Sequence, residues 1–174
     1  GPDAPSGSGL YRSADGGKTW SEVTGGGLPG KPYGRIAVAV APSDSKVVYA
    51  FVEGVKSALF RSGDGGKSWE RRDDSQMMVW RPFYFANLIV DPSNPDRLFK
   101  PDLNLIQSYD GGKTFSGTGS AHADFHDVWI DPQDPKTVIA GDDGGLWFSK
   151  DGAERWWKAH NLPISQFYHV AVDD

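Results

Sequence analysis

Short apolar runs, each stopped by proline, aspartate or glycine, recur along the chain in a fixed order. One set is Arg35-Ile36-Ala37-Val38-Ala39-Val40-Ala41-Pro42-Ser43-Asp44 followed by Val47-Val48-Tyr49-Ala50. A second is Leu88-Ile89-Val90-Asp91-Pro92-Ser93-Asn94-Pro95-Asp96 with Arg97-Leu98-Phe99, and a third is Val128-Trp129-Ile130-Asp131-Pro132-Gln133-Asp134-Pro135 with Thr137-Val138-Ile139-Ala140. Each set reads as an apolar strand, a Pro/Asp turn and a second apolar strand. A third strand follows at Leu10-Tyr11-Arg12, Ala58-Leu59-Phe60, Leu105-Ile106-Gln107 and Leu146-Trp147-Phe148. A more polar fourth strand leaves the next turn, as in Trp69-Glu70-Arg71-Arg72.

The turn between the third and fourth strands is one phrase written four times. It reads Ser13-Ala14-Asp15-Gly16-Gly17-Lys18-Thr19-Trp20, then Ser62-Gly63-Asp64-Gly65-Gly66-Lys67-Ser68-Trp69, then Ser108-Tyr109-Asp110-Gly111-Gly112-Lys113-Thr114-Phe115. A worn copy is Ser149-Lys150-Asp151-Gly152-Ala153-Glu154-Arg155-Trp156. The aspartates fall 49, 46 and 41 residues apart, the period of four-stranded propeller blades. Asp accepts hydrogen bonds from N–H groups just downstream of it, Gly17, Gly66 and Gly112 supply a positive φ, and the aromatic anchors the turn. Ala153 at the glycine position costs about 1 kcal/mol if the conformation is kept, so the fourth copy is expected to be looser. Four turns on different blades cannot share one site, so Asp15, Asp64, Asp110 and Asp151 read as turn staples rather than metal ligands or catalytic acids.

The fold expected is an all-β propeller segment of four-stranded antiparallel blades. Full blades are placed at about 33–73, 84–118 and 124–159, with partial blades at 9–23 and 166–173. A closed ring takes about four blades or more. The chain is therefore expected to be part of one larger propeller or of a multi-chain assembly, its partners being the remaining blades or further chains that cover the raw faces and edges.

The repeated phrase resembles the Asp-box, or BNR repeat, of sialidases, family 74 xyloglucan-cleaving glycoside hydrolases, sortilin/Vps10 receptors and photosystem II assembly propellers. The second half is similar to bacterial glycosyl-hydrolase-like BNR proteins related to Vps10 domains. That likeness rests on the His/Asp cluster before Trp129-Ile130-Asp131-Pro132, on Gly141-Asp142-Asp143-Gly144-Gly145 and on Asn161-Leu162-Pro163-Ile164-Ser165-Gln166-Phe167-Tyr168. The resemblance implies a secreted or periplasmic propeller that binds protein or carbohydrate. In family 74 it implies two acids from different parts of the ring facing each other across a cleft, as glycoside hydrolysis requires. The arginine triad and Tyr/Glu pair of sialidases and the cysteine-rich module of Vps10 receptors find no match here.

Composition narrows the classes. Among 174 residues, 18 Lys and Arg stand against 23 Asp and Glu, a net charge of −5 without a basic run, which speaks against nucleic acid. No stretch approaches the roughly 20 apolar residues of a membrane span. There is no cysteine, and no nucleotide loop, nucleophile elbow or His-Glu-x-x-His helix. No signal-peptide pattern is visible in the residues that follow Gly1-Pro2.

If the Asp-box turns hold one face, chemistry belongs on the opposite one, in the loops between blades and between second and third strands. His122, Asp124 and His126 alternate, so an extended chain puts them on one side. Two imidazoles and a carboxylate there suit a divalent ion or acid–base work, or a polar channel mouth. Asp142 and Asp143 lie in a turn on the same face and suit a cation, a perturbed carboxyl pair or a plain Asp-Gly turn. Asp124, Asp127, Asp142 and Asp143 are the candidate acids. Met77-Met78-Val79-Trp80-Arg81-Pro82-Phe83-Tyr84-Phe85 offers Trp80, Arg81 and Tyr84 as a platform for sugar rings or peptide side chains, or else a hydrophobic plug. Gln166 and Tyr168 complete the ligand-binding set. Two functions follow: a scaffold holding a peptide, protein or glycan on the loop face, or part of a glycoside hydrolase whose acid pair is completed by other blades.

Overall fold

A computed structural model describes residues 7–80, 87–119, 122–162 and 169–171. Among the described residues, fourteen strands and one helical turn follow in chain order. Tyr11–Arg12 (β1) and Ser21–Glu22 (β2) form a two-stranded sheet. Ile36–Val40 (β3), Val48–Val52 (β4), Ala58–Ser62 (β5) and Glu70–Asp73 (β6) form the first four-stranded sheet, and Gln76–Val79 (α1) follows it. Ile89–Val90 (β7), Leu98–Lys100 (β8), Ile106–Ser108 (β9) and Ser116–Gly117 (β10) form the second, and Phe125–Ile130 (β11), Val138–Asp142 (β12), Gly145–Ser149 (β13) and Trp157–Lys158 (β14) the third. Every pairing is antiparallel and joins consecutive strands. These are propeller blades. Of the strand expected over 166–173, only 169–171 are described.

The two-residue period of the strands divides the apolar side chains between interfaces. In β4, fully buried throughout, Tyr49 and Phe51 face the second sheet and join Leu88, Val90, Leu98 and Ile106. Val48, Ala50 and Val52 point the other way and pack with Phe60, Trp69 and Leu10 beside the β1–β2 sheet. In β8, Leu98 belongs to the first of these cores, while Phe99 turns to Val128, Ile130, Val138 and Ala140 of the third sheet. On the far side of the third sheet, Trp129, Ile139, Phe148 and Trp157 stand in one register row.

Polar bridges reinforce the sheet-to-sheet contacts. The Tyr49 hydroxyl donates to the Pro95 carbonyl at 2.8 Å, and Arg61 pairs with Asp96 at 2.9 Å. Arg97, nearly enclosed, is held by Asp91 at 2.8 Å and donates to the Pro135 carbonyl at 3.0 Å and the Gly152 carbonyl at 2.9 Å in the third sheet. Its guanidinium also lies over Phe99 and Tyr109.

The four Asp-box turns are built alike. At Asp64, Oδ1 accepts from the Lys67 and Ser68 N–H groups at 2.9 Å and Oδ2 from the Ser68 hydroxyl at 2.6 Å, while Ser62 Oγ accepts from the Gly66 N–H at 2.8 Å. Gly65, Gly111 and Gly152 donate to Lys46, Asp96 and Lys136, tying each turn to the loop between the first two strands of its own blade. The fourth copy is not looser. Ala153 takes a φ of 72° and donates to Ser149 Oγ at 2.9 Å, and Arg155 Nε replaces the hydroxyl on Asp151 Oδ2 at 2.7 Å. Its methyl group is fully buried among Phe125, Val138 and Ala140, so packing retains a backbone that alanine resists.

These bonds hold the carboxylates ionised. At Asp15 and Asp151 the N–H four residues on, of Thr19 and Arg155, is the largest influence, and each carboxyl falls to about 2. At Asp64 the Ser68 hydroxyl leads and the depression is deeper still. At Asp110 burial pushes upward, but the Thr114 N–H and hydroxyl outweigh it and the carboxyl again falls to about 2.

Candidate functional site

The Asp-box turns and the loops between first and second strands share one end of every blade. The links between blades and the loops between second and third strands therefore share the other. Three groups of side chains gather there.

The first surrounds α1. Ser75 caps this helical turn by accepting from the Met78 N–H at 3.3 Å, and Asp73 accepts in turn from the Ser75 N–H at 2.8 Å. One helical turn gives neighbouring residues opposite roles. Met78 is fully buried in the core between the first two sheets, whereas Met77 and Trp80 are 49% and 41% exposed. The segment thus divides between Met78, which plugs the core, and an exposed ring at Trp80. Trp80, Met77 and Gln76 form one wall of a cavity of about 450 Å³, with Leu103, Asn104 and Thr118 of the second blade opposite. Arg81 and Tyr84 lie outside the described residues.

Behind that cavity sits a pair that the sequence did not single out. Lys100, fully buried at the end of β8, forms an ion pair with Asp102, which itself lines the cavity. Burial pushes the Lys100 ammonium pKa down, against the pull of the Asp102 hydrogen bond. Asp102 also accepts from the Leu103 N–H at 2.6 Å, which fixes the loop that forms the cavity wall.

The second group holds the His/Asp candidates, and the extended alternation expected for His122, Asp124 and His126 does not occur. The Asp124 N–H donates to the Leu103 carbonyl at 3.1 Å and the Phe125 N–H to the Asp102 carbonyl at 2.9 Å. Asp124 takes a φ of 62° to make this turn, and the β11–β12 register shifts between Phe125 and Asp127. The three side chains therefore do not line up on one face of a strand. His122 is exposed and lies over Gly144, with Nδ1 at 3.0 Å from the Ala123 carbonyl. The His126 Nε2 meets Asp143 Oδ1 at 2.7 Å. Among the described residues no three metal-ligating side chains converge.

The two adjacent carboxylates differ. Asp142 is fully buried, and its Oδ1 accepts from the Gly144 and Gly145 N–H groups at 2.8 Å. Asp143 is partly exposed beside His126. Asp127 accepts from the Val128 N–H at 2.9 Å and the Val170 N–H at 3.2 Å, and lies 3.7 Å from His169 Nδ1. Gln166 and Tyr168 lie outside the described residues.

The third group is a cavity of about 470 Å³ lined by Arg35, Ile36, Val38, Asn87, His126 and His169. It collects the leading ends of the first strands of successive blades. Arg35, Asn87 and His169 were not identified from sequence. Their common signal is position: each stands at or just before an apolar first strand.

No family model and no curated relative matches the sequence. Solved structures do share the fold. An ancestral GH74 enzyme aligns at 18% identity over 87% of this chain and 21% of its own length, with a TM-score of 0.63. The GH74 xyloglucanase from Xanthomonas campestris aligns at 22% identity over 73% of this chain and 23% of its own, with a TM-score of 0.59. YCF48 from Cyanidioschyzon merolae aligns at 16% identity over 70% and 35%, with a TM-score of 0.50. The chain is a β-propeller resembling the GH74 propellers, and it spans about a fifth of the length of those enzymes.

Proposed function

We propose that this chain is a binding scaffold, a propeller segment that holds a glycan, peptide or protein on its loop face. The cavity beside Trp80 carries this reading. Its volume falls within the range of about 300–1,000 Å³ usual for ligand sites. It combines a half-exposed aromatic plane and a flexible thioether with amide and hydroxyl groups at Gln76, Asn104 and Thr118. Stacking on the indole supplies affinity, and the polar rim orients the ligand. The neighbouring Lys100–Asp102 pair holds the far wall from behind.

A second reading is that the chain contributes one acid to a glycoside hydrolase, the other coming from further blades. It is favoured by the likeness to GH74 folds and by Asp143, a partly exposed carboxylate in contact with an imidazole. A single titration separates the two readings. Xyloglucan and β-glucan oligosaccharides and a library of short peptides are screened against the chain, followed by indole fluorescence and by reducing-sugar release. Saturable binding that Trp80→Ala weakens about tenfold or more, without turnover, supports the scaffold. Turnover lost in Asp143→Asn overturns it.

A further inference from the structure

The Trp80 cavity borders a free sheet edge. β10 is the outermost strand of the second sheet and pairs with β9 alone. Ser116 stands opposite Gln107 and Gly117 opposite Ile106. The Thr118 N–H donates to the Leu105 carbonyl at 2.9 Å, towards β9. Antiparallel strands alternate the direction of these groups residue by residue, so the Gly117 N–H and C=O point the other way, to the outer edge. No described residue pairs with either of them. Both residues of β10 are exposed, and a Cβ built on Gly117 would meet nothing within 4 Å. Other outer strands are guarded. β6 carries Glu70, Arg71, Arg72 and Asp73, and β14 carries Trp157 and Lys158, charges and bulk that deter an added strand. β10 carries serine and glycine.

A backbone donor and acceptor at a bare edge, beside an apolar cavity, complement the backbone of an extended chain. We infer that a peptide segment adds to the outer edge of β10 as a further, antiparallel strand and places an aromatic side chain in the Trp80 cavity. The residue opposite Gly117 exchanges both hydrogen bonds with it. Residues directly opposite each other point to the same face of a sheet. On Gly117 that face is the one shared with Ile106, and both line the cavity. The side chain of the added residue is thereby aimed at Trp80. Glycine leaves its path clear, because a larger side chain at 117 would enter the cavity itself. Among the described residues one charged side chain lines the cavity, Asp102, and Lys100 neutralises it. An uncharged segment complements that balance, and its ring stacks on the indole beside the Met77 thioether. The inference rests on the scaffold reading and narrows its ligand to an extended peptide.

The test uses the full chain and the peptide acetyl-Ser-Thr-Phe-Thr-Ser-amide, whose blocked ends carry no charge. Its companions are the same peptide with alanine for phenylalanine, the same peptide N-methylated at phenylalanine, and a β-glucan oligosaccharide. The Gly117 amide and the Trp80 indole N–H are followed by NMR. The parent peptide is expected to bind saturably, to move both signals and to slow hydrogen exchange at Gly117. The N-methyl peptide lacks the N–H that meets the Gly117 carbonyl and is expected to bind about fivefold more weakly or worse. The alanine peptide loses the anchor and is expected to bind about tenfold more weakly or worse. Gly117→Pro removes the outward donor at an edge position that tolerates proline, and is expected to weaken the parent peptide about fivefold or more. Gly117→Leu keeps the donor but fills the cavity side, and is expected to weaken it about tenfold or more. The inference is overturned by the absence of saturation, by equal binding of the N-methyl and parent peptides, or by either Gly117 variant binding like the parent chain. Oligosaccharide binding lost in Trp80→Ala but kept in Gly117→Pro, without peptide binding, overturns it and leaves the scaffold reading standing. Peptide binding weakened by Gly117→Pro but not by Trp80→Ala overturns the cavity anchor together with the scaffold reading.

Discussion

Gly112 and Ala153 occupy the same place in two Asp-box turns, and the structure assigns unequal outcomes to exchanging their side chains. Both are left-handed, with φ of 81° and 72°. At Gly112 a Cβ would stand 2.6 Å from Leu59 Cδ2, with Tyr49 and Arg72 atoms at 3.7 and 3.8 Å closing the sides. Leu59 is fully buried and has no space to retreat into. Gly112→Ala therefore takes on roughly 1–2 kcal/mol of backbone strain and about 1–3 kcal/mol of overpacking. The stiffer unfolded chain returns about 0.4–1 kcal/mol. The net destabilisation centres on about 3 kcal/mol.

Ala153→Gly runs the balance the other way. It relieves the same roughly 1–2 kcal/mol of strain but exposes the loss of one buried methyl, about 0.8 kcal/mol, and loosens the unfolded chain by about 0.4–1 kcal/mol. The Ala153 N–H bond to Ser149 survives, so the net change lies within about 1 kcal/mol of zero. Urea unfolding followed by fluorescence of the seven tryptophans measures both. With a slope of about 2 kcal/mol per molar, Gly112→Ala should lower the midpoint by about 1.5 M and Ala153→Gly by less than about 0.5 M. Equal shifts in the two variants would refute the reasoning, because the Leu59 contact at Gly112 would then make no difference between the two sites.

Two further outcomes follow from the blade contacts. Arg97→Met should cost about 3–5 kcal/mol in the same urea experiment, because it leaves Asp91 charged and buried; the double variant with Asp91→Asn should be milder than Arg97→Met alone. Acid should unfold the chain in a defined window: Asp15, Asp110 and Asp151 have folded values near 2 against 3.8. A lowered folded value means that the stabilisation is complete above the unfolded value and lost as pH falls from about 4 towards 2. Removing one box by Asp110→Asn should flatten the loss of stability in a pH series of urea midpoints, and an unchanged slope would contradict the assignment.

The blades were legible because Asp-box chemistry is local. An aspartate bonded to N–H groups three and four residues on, with glycines at positive φ, needs no distant partner to be recognised. The short α1 was not legible, since four residues are too few to show a helical period and Ser75 resembles any turn serine. Nor was the parting of His122, Asp124 and His126, which depends on residues 124 and 125 pairing with the loop at 102 and 103. Lys100 ends an apolar strand and reads there as a solvated charge, and only the fold encloses it with Asp102. Arg35, Asn87 and His169 are far apart in sequence and meet because successive blades place their first strands side by side.

That division between local and tertiary determinants also sorts the acids. Asp142 lies on the loop face, yet its Oδ1 accepts from two N–H groups just downstream, as the Asp-box carboxylates do on the opposite face. It is fully enclosed, so it has the bonding of a turn staple rather than the access that a glycosidic oxygen would need. Asp143 differs by one position in sequence and by everything in surroundings: it is partly exposed and in contact with His126, which reaches the inner cavity. If this chain supplies an acid to a reaction completed by other blades, Asp143 has the exposure and the partner for it, with Asp127 next. The paired aspartates divide as one residue that shapes the turn and one that stands partly exposed beside His126.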